Sequence, residues 1–208
     1  MTKLYHITHI RNLGSIIERS GIMCDNAMNK DDIKHVGIAH MHIKERRARK
    51  RVPIEPGGTL ADYVPFYFAP RSPMLYASYT GFVEGYSEGQ GAILHLVTSV
   101  ETVLAKKLPF VFTDGHAEMA ISRFFRDVSD LDKVDWEVMK AIYWNDTEQD
   151  NDRSRRRQAE FLVHDFSPWK LIEQIGVMND TMADRVDKVL SSFKGTSPAV
   201  TVQQKWYY

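Results

Sequence analysis

The sequence predicts an α+β fold, and two observations carry that expectation. Short strand-like apolar runs are mixed with helix-period runs, without the regular strand and helix alternation that builds a parallel sheet. No repeat, low-complexity tract or linker divides the 208 residues. That length supports one substantial core, whereas two domains would each be small, so a single domain over residues 1–208 is expected.

The elements follow in chain order. "KLYHIT" (Lys3–Thr8) reads as a strand, followed by a helix from His9 to Arg19 with Thr8 as its N-cap and Gly21 just past its end. Residues 26–56 form a polar excursion containing a basic helix and the turn "EPGGT", and excursions of that length in compact domains are often functional. "YVPFYFA" (Tyr63–Ala69) is a buried strand, "SPMLYASYT" (Ser72–Thr80) a helix and "GAILHLVTS" (Gly91–Ser99) a strand. "PFVFTD" (Pro109–Asp114) is a strand interrupted by "DGH", and helix periodicity returns in "AEMAISRFF" and "WEVMKAIYW". The strands "EFLVHDF" (Glu160–Phe166) and "KLIEQIGVM" (Lys170–Met178), a helix over residues 180–193 and the strand "AVTVQQ" (Ala199–Gln204) complete the chain.

Composition narrows the class. An apolar fraction of 43% with 11% aromatic residues fits a folded protein and argues against disorder. A single cysteine, Cys24, excludes an internal disulfide and a thiolate zinc cage, and without a secretory signal pattern the cytoplasm is the expected compartment. No apolar segment is long enough to cross a bilayer.

The formal net charge is zero, but its distribution is uneven. "KERRARKR" (Lys44–Arg51) and "RSRRR" (Arg153–Arg157) are basic, whereas "SDLDKVDWE" and "NDTEQDND" are acidic. A basic run is ordinarily a solvated helix face; two in a neutral chain favour a local phosphate-binding surface.

Several chemistries are excluded by their missing motifs. There is no GxxxxGK[ST], no GxGxxG between strand and helix, no HExxH and no GxSxG. "GYSEGQG" precedes a strand and reads as a flexible turn. His35, His40 and His42 lie close in sequence, but no carboxylate at suitable spacing completes a ligand set, so no metal is expected.

One carboxylate stands out. Glu160 follows three arginines and opens a buried strand in "RRRQAEFLVHDF". A glutamate beside arginines is usually a solvated ion-pair partner; one held at the start of a rigid strand is placed to act on a ligand. On the residues alone, a transferase, a non-catalytic nucleic-acid-binding module and a histidine-dependent metal nuclease all remain open, and Arg51 reads as a surface arginine.

"YHIT" with its following helix and "SGI", the basic segment through Arg51, "VPFYFAPRSPMLY" and "RRQAEFLV" occur in an order and spacing that resembles the DarT family of DNA ADP-ribosyltransferase toxins, over the whole chain. The resemblance implies an ADP-ribosyltransferase fold: split, bent antiparallel β-sheets flanked by helices, with NAD in the cleft. It also implies transfer of ADP-ribose to thymine N3 in single-stranded DNA, reversed by a macrodomain antitoxin, with monomer as the default state. Transfer to RNA or protein is the alternative within the same fold.

Carried over by motif, His6, Ile7, Thr8, Asn12 and Gly14 bind NAD and Arg51 lies in the segment closing over it. Glu160 and Arg51 are then the catalytic residues. Arg153, Arg155, Arg156 and Arg157 are expected on DNA phosphates, and the segment from Met119 to Glu160 corresponds to the family's substrate-recognising region.

The chemistry is consistent with those residue types. Cleavage of a ribosyl bond develops positive charge on the ribose, which a fixed carboxylate stabilises. The pyrophosphate needs a guanidinium or a helix N-terminus, and the thymine N3 proton must leave, assisted by Arg51 or Glu160.

Overall fold

The protein is described from a computed structural model, over residues 1–38, 40–195 and 197–208. The first half contains β1 (Lys3–His9), α1 (Leu13–Glu18), β2 (Gly21–Met23), α2 (Asp25–Lys30), α3 (Met41–Arg49), β3 (Tyr63–Tyr67), α4 (Pro73–Thr80), β4 (Ile93–Ser99) and α5 (Val100–Ala105). The second contains β5 (Phe110–His116), β6 (Phe124–Phe125), α6 (Trp136–Lys140), α7 (Arg153–Arg156), β7 (Ala159–His164), β8 (Phe166–Pro168), β9 (Gln174–Val177), α8 (Asp180–Ser191) and β10 (Ala199–Val202).

Eight strands form one sheet in the order β10-β9-β4-β1-β3-β7-β5-β6, while β2 and β8 make a separate antiparallel ribbon. Within the large sheet only β10 and β9 are parallel. β1 pairs with β4 along its whole length, from Lys3↔Ser99 to His9↔Ile93, yet it pairs with β3 only at Tyr5↔Tyr67. Beyond that point the backbones stop pairing, so the sheet splits into two four-stranded halves. This split positions the site.

The fully buried β4 and the apolar β7 form the centre of the core, as their near-continuous apolar sequences require. Phe161 stacks on Phe110 at 4.8 Å between ring centroids, and Phe68 packs edge-on against Phe112, Phe161 and Trp136. Gly21 permits the close approach of β2 to β8: a Cβ there would lie 2.4 Å from both the Phe166 ring and the Ser167 carbonyl oxygen.

The structure revises several expected elements. Thr8 lies within β1, and His9 caps the single turn Ile10–Asn12 by accepting from the Arg11 N–H. "DGH" does not interrupt its strand, because β5 runs to His116 with an irregularity between Phe112 and His116. "AEMAISRFF" is not helical: the Asp114 carboxylate accepts from the Arg123 N–H and Nε, and the Ser122 hydroxyl donates to the His116 carbonyl. These local side-chain bonds fold the segment into a turn leading to β6. Among the described residues, no helix is long and apolar enough to cross a membrane.

Candidate active site

The split between β1 and β3 opens into a cavity of about 390 Å³, within the size range of small-molecule sites. His6, Ile7 and Thr8 line it from β1, Pro65 and Tyr67 from β3, and Met74 and Ala77 from α4. The excursion supplies the opposite wall, including Ile33, Val36, Ile38, Ile43 and Arg47. The walls are mainly apolar, with cationic side chains from Arg11, Arg19, Lys34, Lys44 and Arg47.

Glu160 reaches this cavity from the second position of β7, where it pairs with Tyr67. It is 3% exposed. The irregularity in β5 explains how its backbone is satisfied: the Thr113 hydroxyl accepts from the Glu160 N–H at 3.1 Å and donates to the Gly115 carbonyl. A bulge beside a functional side chain re-aims it. The Glu160 carboxylate accepts from the Ala117 N–H through Oε1 at 3.2 Å and from Arg47 Nη1 through Oε2 at 2.8 Å.

The arginine that the structure places beside Glu160 is Arg47. It projects from α3, its side chain only 11% exposed, and its Nη2 is buried without a protein partner. Burial opposes its charge, but the Glu160 carboxylate outweighs that and raises its pKa. Arg51 lies outside the cavity, exposed, with its backbone in an isolated bridge to Thr59. Helical phase accounts for this placement. Arg47 sits on the inward face of α3, whereas the helix has ended by Lys50 and the chain at Arg51 is extended. Arg46, one residue away, pairs instead with Glu118 across the rim.

Among the expected NAD ligands, His6, Ile7, Thr8 and Asn12 line the cavity. His6 Nδ1 lies 2.9 Å from the Pro65 carbonyl oxygen, which can only accept, so Nδ1 carries the proton and donates. Burial lowers its pKa, against the raising effects of that bond and of Asp25. Asn12 holds the excursion in place: its Oδ1 accepts from the Val36 N–H and its Nδ2 donates to the Val36 carbonyl and to Thr8 Oγ1. Gly14 does not line the cavity. It faces α8, where a Cβ would meet the Phe193 ring at 3.9 Å, and Arg11 and Ser15, on the other face of the same turn, line the wall instead.

In the structure the arginines of "RSRRR" are engaged by the protein itself. Arg155 is bound by Asp152 and Asp114, and Arg156 by Asp135, Asp150 and Asp152. Arg157 is buried, and its guanidinium donates to the carbonyls of Arg71, Val138, Met139 and Ala141. Arg153 donates to the Tyr143 carbonyl. The cluster neutralises the preceding acidic stretches and fastens that segment to β7. The histidines also take other roles: His35 Nε2 lies 2.7 Å from Lys44 Nζ, and among the described residues no group of three or more His, Cys, Asp or Glu side chains is arranged to hold a metal ion.

Tyr67, His116 and Gln158 complete the surroundings of Glu160. The phenol of Tyr67 is raised in pKa by burial and by the Glu160 charge. Tyr67 was legible as a β3 residue opposite Glu160 only once the strand pairing was known, and His116 lay in a segment that read as a break.

The comparisons with known proteins identify the family. The family model described as "ssDNA thymidine ADP-ribosyltransferase, DarT" matches residues 5–208. A DNA ADP-ribosyl transferase of Thermus sp. (strain 2.9) is 47% identical over 208 residues, covering 100% of this chain and 96% of the relative. Its solved structure in complex with ADP-ribosylated ssDNA superimposes with a TM-score of 0.93 at 46% identity, covering 100% of this chain and 96% of that one. The complex of the same protein with NAD+ gives 0.89 at 43% identity, covering 100% and 98%. A Thermosipho africanus relative, 26% identical over 193 residues, is a fusion of a DNA ADP-ribosyl transferase with a DNA ADP-ribosyl glycohydrolase; the match spans 91% of this chain and 46% of the fusion. With a split sheet, a buried Glu160 and Arg47 pair in the cleft, and a family match over nearly its full length, the chain belongs to the DarT family of single-stranded DNA thymidine ADP-ribosyltransferases.

Proposed function

We propose that this chain acts as a single catalytic domain in the cytoplasm, transferring ADP-ribose from NAD to N3 of thymine in single-stranded DNA as the toxin of a pair whose macrodomain partner removes the mark. The observation that carries this reading is the Arg47 and Glu160 pair, buried at 2.8 Å in the cavity where the sheet divides.

The cavity fits NAD on two counts. Its apolar walls suit planar rings, and its cationic side chains suit a pyrophosphate. The buried, partnerless Nη2 of Arg47 also marks a donor awaiting an acceptor. His6, Ile7, Thr8 and Asn12 would hold the dinucleotide, with Arg11 and Arg19 as counter-charges. NAD supplies an activated ribose and nicotinamide as leaving group.

The protein residues provide the rest. Glu160 sets a fixed negative charge, in a site shielded from water, where positive charge develops on the ribose, and it can accept a hydrogen bond from a ribose hydroxyl. Arg47 orients that carboxylate and, through Nη2, can stabilise the base as N3 passes its proton to the Glu160 carboxylate and bonds to the ribose, nicotinamide leaving. Both functions therefore depend on a single buried pair.

Thymine N3 lies on the Watson–Crick edge and is hydrogen-bonded in a duplex, so the reading requires an unpaired base. The test is incubation with labelled NAD and a thymine-containing single strand, the same strand annealed to its complement, and a strand whose thymine carries an N3 methyl group. Label is expected on the first alone, removable by a DNA ADP-ribosyl glycohydrolase. Equal labelling of duplex would refute the strand requirement, and labelling of the methylated base would place the bond on another atom.

A further inference from the structure

Outside the cavity, one face gathers aromatic rings from three distant parts of the chain. Tyr76 and Tyr79 project from the outer side of α4, Trp144 comes from the segment after α6, and Tyr208 follows β10. The Tyr76 ring centroid is 5.0 Å from that of Tyr208, 6.3 Å from Trp144 and 6.2 Å from Tyr79. Tyr79 stacks on Tyr208 with an interplanar angle of 22°, and Trp144 Nε1 donates to the Tyr208 hydroxyl at 3.2 Å. These contacts hold the rings in place without covering them: Tyr76 is 43% and Tyr79 53% exposed. Phe82, just beyond the helix, and Tyr143 are exposed further, at 74% and 84%. The joined rings of Tyr76, Tyr79, Trp144 and Tyr208 mark a binding face.

Two observations indicate the occupant. The first is continuity. Pro73, Met74 and Ala77 on the inner side of α4 line the cavity, so a strand leaving the cavity over this helix meets Tyr76 and Tyr79 directly. The second is charge. Arg71, just ahead of α4, holds its guanidinium 5.4 Å above the Tyr208 ring, and among the described residues no carboxylate pairs with it. Ordered rings beside an unpaired cation fit a single-stranded nucleic acid, whose bases stack and whose phosphates are anionic.

We propose that this face is a stacking platform for the nucleotides flanking the modified thymine, with Tyr76 and Tyr79 as the rings that receive bases. The inference rests on the proposed reaction and extends it beyond the target base.

The test compares a strand of about five nucleotides carrying one central thymine with one of about fifteen having the same core, a span within the site sizes of single-strand binders. Wild type should show a kcat/KM about tenfold higher on the longer strand, equivalent to ~1.4 kcal/mol. In Tyr79→Ser, and more fully in Tyr76→Ser/Tyr79→Ser, the two strands should become equal within about twofold of each other. Replacing the flanking bases by abasic sites, which keeps the phosphates, should remove the same advantage from wild-type enzyme; this arm does not depend on any variant folding.

Retention of the length advantage by the abasic strand or by Tyr79→Ser would overturn the platform. So would a change in oligomeric mass in the variants with the length advantage intact, which would assign the face to a second protein copy. If wild type labels neither strand, the proposed reaction itself fails, a result distinct from labelling both strands equally.

Discussion

Arg157→Ala separates the structural role of the arginine cluster from the phosphate-binding role that its sequence suggests. The Arg157 side chain places Nε and Nη2 at 3.2 and 3.0 Å from the Arg71 carbonyl oxygen, and Nη1 at 2.6, 2.5 and 3.3 Å from those of Val138, Met139 and Ala141. Four carbonyls from two separate segments therefore depend on one buried cation. Burial lowers the pKa of that cation, so part of the favourable interaction is offset by desolvation. Truncation leaves the carbonyls to find water or remain unpaired, at roughly 1 kcal/mol or more each. The expected loss is about 4 kcal/mol, which for a chain of this size lowers Tm by about 10 °C. Urea unfolding measures the loss, and oligonucleotide binding across a salt series measures the alternative role. Removing a phosphate contact to single-stranded DNA would flatten the log–log salt slope by about 0.7. A stability change below ~1 kcal/mol together with that flattening would refute the structural assignment.

Three further outcomes follow from the site and the core. Glu160→Gln, which keeps an acceptor for the buried Arg47, should abolish transfer while the protein stays folded; retention of activity within about tenfold, ~1.4 kcal/mol of transition-state stabilisation, would remove Glu160 from the chemistry. Arg47→Ala should reduce kcat severely at saturating DNA, whereas Arg51→Ala should leave it within about twofold of wild type; the reverse pattern would restore the sequence-based choice. His95 is fully buried, and burial pushes its pKa down to about 4 despite its contact with the Pro70 carbonyl. Because the unfolded histidine titrates near 6.5, the unfolded chain binds the extra proton first as pH falls. Stability is then complete above about pH 6.5 and declines towards pH 4, by at most ~3 kcal/mol, with the lowered pKa values of His6 and His9 acting in the same direction. Urea midpoints at about pH 7.5 and pH 5 should differ less in His95→Asn than in wild type; an equal difference would discount His95.

Strand positions were legible where apolar character was continuous. Glu160 at the start of β7, and Lys3–Thr8 in β1, follow from runs whose burial the structure reproduces. Which arginine of "KERRARKR" meets Glu160 was not legible, because it depends on the phase of α3 and on where that helix ends, and every candidate in the run is chemically alike. The placement of Gly14 depends on phase in the same way: its helical turn presents Arg11 and Ser15 to the cavity and Gly14 to Phe193. The helical reading of "AEMAISRFF" failed because periodicity does not register the Asp114 and Arg123 contact that folds the turn. The aromatic face could not be read at all, since Tyr76, Trp144 and Tyr208 meet only in three dimensions.

The zero net charge conceals a division of labour between the two basic runs. In the second, Arg155 and Arg156 are matched by Asp114, Asp135, Asp150 and Asp152, and Arg157 is spent on backbone carbonyls. These residues brace the segment that leads into Glu160. In the first, Lys44 and Arg47 join Arg11, Arg19 and Lys34 around the cavity, faced by the carboxylates of Asp25 and Glu160. Cationic attraction is therefore concentrated where the dinucleotide pyrophosphate is proposed to bind, and the arginines of the second run are already engaged by the protein itself. The strand would then be held chiefly by base stacking and by occupancy of the cavity. A binder relying on the whole "RSRRR" cluster would engage about four phosphates and show a log–log salt slope near −3. This protein should show a slope of about −1 for a thymine-containing single strand, measured with a non-hydrolysable NAD analogue present. A slope near −3 that flattens on substitution of Arg155 or Arg156 would mean that those arginines leave their aspartates to bind DNA.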